Sequence, residues 1–137
     1  MHGGFYISEE AYKPIQDSLI QAIPASVPKD HRVSLENRIK YGYEYALKKR
    51  LRLILKSVLK DYKDIVDKLI GDQSDFVNKV GDTRNYLTHY TAELETAAVT
   101  RPPEQFALIQ SMKILMQLCF LAELGLPVDI VKKSLVR

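Results

Sequence analysis

Apolar residues recur along this chain at intervals of three and four, the spacing of one helix face, and no run alternates long enough to predict a strand. A first helical segment is predicted over 8–23, with Ser8 as a cap ahead of Glu9 and Glu10. Pro14 falls inside it, so the segment either starts late or bends there. Pro24 and Pro28 bracket a linker. A long second segment is expected from about Ser34 to Lys60, where Leu35, Ile39, Ala46, Leu47, Leu51, Leu53, Ile54 and Val58 make one broad apolar face. The stretch Tyr62 to Ile70 continues it or follows a break near Asp61.

Gly71 then ends a helix, and Asp72 or Ser74 caps the next, predicted from about Ser74 to Glu95. Thr100-Arg101-Pro102-Pro103 closes a loop and opens another helix, since proline is tolerated in a first turn. Phe106 to Leu124 is apolar almost all round, the pattern of a central, buried helix. Gly125 stops it, and Pro127 to Val136 fits a short closing helix.

These elements predict a single all-α domain, a bundle of about four or five helices. Residues 1–28 form an N-terminal extension with a helical segment and a proline-flanked linker, and residues 29–137 form the helical domain proper. The 137 residues, 46% hydrophobic and 27% charged, describe a globular chain with enough length to bury a core. A net charge of +3 is compatible with an RNA partner without requiring one. The longest apolar run, around Leu118 to Ala122, is too short for a membrane span of ~20 residues. With no basic-then-apolar leader pattern and the lone Cys119 in an apolar run, a buried inert thiol and a cytoplasmic location are expected.

The chemistry concentrates in Arg84-Asn85-Tyr86-Leu87-Thr88-His89. The hexapeptide sets a permanent cation, an amide and an imidazole, which titrates near neutrality, within about one and a half helical turns. That set can hold a phosphate and move a proton without a metal. At about 100° per residue, Phe76, Val77, Val80, Leu87 and Leu94 share the core face, while Asp82, Asn85 and His89 share a stripe on the far side. Arg84 falls at the margin of the core face, so it meets His89 on one ligand only by reaching round, or if a second copy supplies the missing group. A two-fold dimer apposing two such helices would bring two histidines and two arginines into one shielded cleft. Tyr86 and Tyr90 are either amphipathic surface residues or platforms for base stacking.

Lys48, Lys49, Arg52 and Lys56, with Tyr45, make a basic stripe that either tracks an RNA backbone or is a solvated helix face. Three histidines and one cysteine, widely scattered, give no metal-ligand spacing, so neither a metal nor another cofactor is expected. A Gly-rich phosphate loop is likewise missing.

The string Asp82-Thr83-Arg84-Asn85-Tyr86-Leu87-Thr88-His89-Tyr90 resembles the signature of the HEPN superfamily, and in particular its Apea-like HEPN branch. Tyr41, Tyr45-Ala46-Leu47 and Arg50-Leu51-Arg52-Leu53 upstream, and Glu123-Leu124-Gly125-Leu126 downstream, are similar as well, so that the resemblance covers roughly Asp30 to Val136. It implies a small helical bundle that forms a homodimer and cleaves RNA without a metal. Arg84 and His89 would be the catalytic pair, with Asn85 the polar residue after the arginine. The reaction implied is attack by the RNA 2′-hydroxyl, with His89 as general acid or base and Arg84 on the scissile phosphate. The resemblance further implies a role in defence or stress, as a toxin with an antitoxin partner or as the effector of a fused or adjacent sensor domain. Some members are non-catalytic modules for dimerisation, RNA binding or partner binding, and that is the alternative reading.

Overall fold

Ser8 caps a helix as the sequence predicts, its hydroxyl accepting from the Ala11 N–H at 3.2 Å, and of the two candidates Asp72 and Ser74 it is Asp72 that caps the later one, its carboxylate accepting from the Asp75 N–H at 2.7 Å. The computed structural model describes residues 4–90 and 92–135. Among these, eight α-helices follow one another: α1 Glu9–Gln21, α2 Lys29–Lys40, α3 Leu47–Leu53, α4 Lys63–Ile70, α5 Gln73–His89, α6 Ala92–Glu95, α7 Pro102–Glu123 and α8 Val128–Leu135. The described residues contain no strand beyond an isolated bridge between Phe5 and Glu44. The all-α class is as predicted, but there are eight helices, against the four or five expected. They fall into two compact units, divided between Ala46 and Leu47.

In the first unit, α1 runs through Pro14 without a break and packs on α2. Tyr12 is buried there and donates its hydroxyl to the Ile39 carbonyl at 2.6 Å. The helix expected from Ser34 to Lys60 begins earlier and stops at Lys40. The reason lies in the backbone that follows. The Tyr6 N–H donates to the Tyr43 carbonyl at 2.8 Å, and the Tyr45 N–H to the Gly4 carbonyl at 2.7 Å. Groups committed to an extended neighbour are not free for a helical ladder. Phe5 stacks on Tyr43, with ring centroids 5.2 Å apart, and closes that turn.

The second unit holds the larger core: Leu51, Leu55, Leu59, Tyr62, Val66, Phe76, Val77, Val80, Leu115, Leu118 and Val131. A π-helical turn, Ile54–Val58, follows α3, and a 3-10 turn, Lys60–Tyr62, leads into α4. The Ser57 hydroxyl donates to the Leu53 carbonyl, while the Leu59 N–H reaches back five residues to the Ile54 carbonyl at 3.0 Å. A serine bonding back into the ladder competes with it and loosens the turn. Gly71 ends α4 at φ 68°, a backbone that glycine adopts without a Cβ penalty.

α7 departs furthest from expectation. Leu115 and Leu118 are buried, but Phe106, Ile109, Met116 and Phe120 are 61–66% exposed, so this is not a central helix. All-round apolarity identifies a helix able to be buried; it does not say that enough neighbours exist to cover every face. α7 has 22 residues, with only Glu104, Lys113 and Glu123 charged, and is long and apolar enough by length and composition to cross a membrane. The run Leu118 to Ala122 taken alone understated it. Cys119, expected to be buried, is only half-buried on α7, and desolvation, aided by the Glu123 carboxylate, pushes its thiol above the ordinary range. α8 is tied to α4 by the Lys132–Asp64 ion pair at 2.9 Å. The expected end of this last helix, Val136, lies outside the described residues.

Candidate functional site

α5 carries the candidate site, and its burial pattern sets the site's orientation. Phe76, Val77, Val80, Gly81 and Thr83 are buried. Leu87, placed on the core face by the wheel, is 48% exposed because α5 rises out of the core over its last two turns. Leu94 is not on this helix at all. α5 stops at His89, where Tyr90 takes a left-handed conformation (φ 51°, ψ 39°) and donates its N–H to the Tyr86 carbonyl at 2.6 Å. Such an end is usually made by glycine or asparagine. A tyrosine there leaves no sequence signal, which is why the helix was expected to reach Glu95.

Asn85 and His89 lie one turn apart on α5, as predicted, with Asn85 half-buried and His89 exposed in the last turn. Arg84 is exposed, and its Nη1 donates to Asn85 Oδ1 at 3.1 Å. The guanidinium is thereby held beside the stripe that ends in His89, although no contact joins Arg84 to His89. Backbone placement is reinforced by Thr88, whose hydroxyl donates to the Arg84 carbonyl at 2.7 Å. Tyr86 and Tyr90 meet edge to face with centroids 5.8 Å apart, and Tyr90 is 73% exposed.

Two members of the basic stripe, Lys48 and Arg52, face α5. Lys48 turns towards α5 and pairs with Asp82 at 2.6 Å. Arg52, one turn on, donates to Asn78 Oδ1 at 3.3 Å. Lys49 is half-buried, and Lys56 is exposed in the π-helical turn, where the extra residue shifts its phase. Of the six residues named for RNA contact, Tyr86 stands on the motif helix, Tyr90 caps its end, and the other four lie along α3 and the turn after it.

Two features here had no counterpart in the sequence reading. Thr83 is buried, and its hydroxyl accepts from the Val99 N–H at 2.8 Å, pinning the segment after α6 to the motif helix. An apolar groove of about 1070 Å³ runs between α5 and α7, with Arg84 and Lys113 as its charged residues and Leu87, Ile109, Met116 and Phe120 among its apolar ones. Among the described residues no group of three or more His, Cys, Asp or Glu side chains is placed to hold a metal ion.

The family model for Apea-like HEPN matches residues 2–130. This chain belongs to that family. Neither the curated proteins nor the solved structures gave a match. The string Arg84-Asn85-x-x-x-His89 occupies the last turns of α5, on the part of the helix that leaves the core.

Proposed function

We propose that this Apea-like HEPN protein is a metal-independent endoribonuclease acting in defence or stress. The observation that supports the reading is the Arg84–Asn85 hydrogen bond, which ties the cation to a residue one turn from the exposed His89. RNA supplies its own nucleophile. His89 takes the proton of the 2′-hydroxyl as O2′ bonds to phosphorus, and the bond from phosphorus to the 5′-oxygen breaks. The leaving oxygen collects a proton from a general acid. Arg84 holds the phosphate through its planar fork as charge builds on the non-bridging oxygens. The products are a 2′,3′-cyclic phosphate and a 5′-hydroxyl.

One exposed histidine cannot be base and acid in the same step. A second copy of the chain supplies the other in a composite, two-fold site, with one His89 as base and its mate as acid. Cleavage of labelled tRNA and total RNA in EDTA, wild type against His89→Ala, tests the reading. Activity that survives EDTA and disappears in the variant supports it. Equal background in both sinks it.

The apolar groove favours a second reading, a non-catalytic module that binds a partner. In that case His89→Ala alters neither RNA cleavage nor partner binding, whereas changes at Met116 and Phe120 weaken the partner.

A further inference from the structure

Gly81 stands in the middle of α5, where glycine is a poor helix former. The space around it explains the choice. A Cβ at this position would lie 2.5 Å from Lys48 Cε, 2.7 Å from Cγ and 3.1 Å from Cδ. The Lys48 stem therefore lies flat across the backbone of α5, and its ammonium is delivered to Asp82, the next residue along, at 2.6 Å. Both side chains are largely withdrawn from solvent, 32% exposed for Lys48 and 19% for Asp82. The Arg52–Asn78 hydrogen bond repeats the crossing one turn away, so α3 runs antiparallel to α5 and is clamped at two levels.

Asp82 lies one turn before Asn85 and two before His89, on the same stripe of α5. An uncompensated carboxylate there would repel a phosphodiester arriving at Arg84 and Asn85, and poor access of water would strengthen the repulsion. Lys48 touches Asp82 directly and cancels that charge. Resting on the nuclease reading above, we propose that Lys48 is a positioning residue of the site. It neutralises Asp82, so that the stripe from Asn85 to His89 accepts RNA phosphate. The ammonium is engaged by Asp82 and acts through it, not as a phosphate ligand in its own right.

A charge cycle in the full chain tests this, using Lys48→Met, Asp82→Asn and the double variant. Affinity for a labelled single-stranded RNA is read by fluorescence anisotropy at low salt, alongside kcat and KM and the thermal midpoint. Lys48→Met should weaken RNA affinity and raise KM by about three- to tenfold, with kcat little changed. The double variant, which carries neither charge, should return to within about twofold of wild type; Asp82→Asn should bind no more weakly than wild type. A merely structural lysine would lower the midpoint without this pattern of rescue. A double variant as weak as Lys48→Met would overturn the proposal and make Lys48 a direct RNA ligand. So would a Lys48→Met protein that binds like wild type. Should Lys48→Met fail to fold, Asp82→Asn decides: weaker binding than wild type refutes the proposal. If wild type binds RNA but cleaves none, the nuclease reading fails while the affinity cycle still tests Lys48. Wild type that binds no RNA overturns both.

Discussion

The hydroxyl of Thr83 accepts the Val99 N–H at 2.8 Å, a bond that crosses from the buried face of the motif helix to the segment behind α6. Thr83 is only 6% exposed, a buried polar side chain. Thr83→Val keeps the shape and removes the acceptor, which leaves the Val99 N–H without its partner. The expected cost is about 1–3 kcal/mol of unfolding free energy, against a much smaller loss for Thr83→Ser, which keeps the hydroxyl. Urea denaturation of the two variants measures it. Equal losses would mean that the methyl group, not the hydrogen bond, holds this junction.

α7 offers a sharp contrast between two neighbouring apolar residues. Leu118 is fully buried and Met116 is 66% exposed. Leu118→Ala should cost about 2–5 kcal/mol through lost burial and the cavity left behind. Met116→Ala should stay within about 0.5 kcal/mol, the range of ordinary surface changes. Comparable losses at both positions in chemical denaturation would show that the Met116 face is covered in solution, by a second copy or another apolar surface.

His89 and Arg84 should separate chemistry from binding. His89 is exposed in the last turn of α5, so His89→Ala should leave the thermal midpoint unchanged. Its expected effect is a loss of RNA cleavage by about 10²- to 10⁴-fold, the usual worth of a general acid or base, with RNA affinity kept. Arg84→Ala should lower both affinity and turnover, since the guanidinium meets the phosphate before and during reaction. Single-turnover cleavage and anisotropy on the same RNA read the two quantities. An Arg84→Ala protein with intact affinity and rate would remove the arginine from the site.

How legible these features were depends on whether their causes are local. Caps at Ser8 and Asp72, the stop at Gly71 and the proline opening of α7 are fixed by the residues themselves, and each appears where the sequence places it. The motif was legible for the same reason: six adjacent residues on one helix. What the sequence hid depends on distant partners. Lys48 and Asp82 are 34 positions apart, and neither residue by itself announces the pair. Gly81 was the available hint, since a glycine inside a helical pattern usually marks close packing. The turn over 41–46 escaped because hydrogen bonds to residues 4–6, not propensity, end α2, and the left-handed Tyr90 escaped because a tyrosine in that conformation leaves no sequence signal. α7 was misjudged for a further reason. Periodicity reports which face can be buried, whereas actual burial depends on how many neighbours surround it.

The junction of α4 and α8 should respond to acid. Lys132 bonds to Asp64 at 2.9 Å and holds its carboxyl below the ordinary value of 3.8, the hydrogen bond outweighing the opposing effect of desolvation. A folded-state pKa below the unfolded one means that the unfolded chain binds the proton more readily. The pair's contribution is therefore complete above the unfolded pKa and is lost as pH falls through the lower, folded one. Lys132→Met should accordingly be less stable than wild type at neutral pH. The gap between the two should stay constant down to about pH 5 and close below the ordinary carboxylate value. Because both partners are solvent-accessible, about 1 M salt should narrow the gap at neutral pH too. Thermal midpoints of the two proteins across that pH range provide the check. A gap that persists unchanged into strong acid would assign the effect of Lys132 to the packing of its stem on α4 and not to its charge.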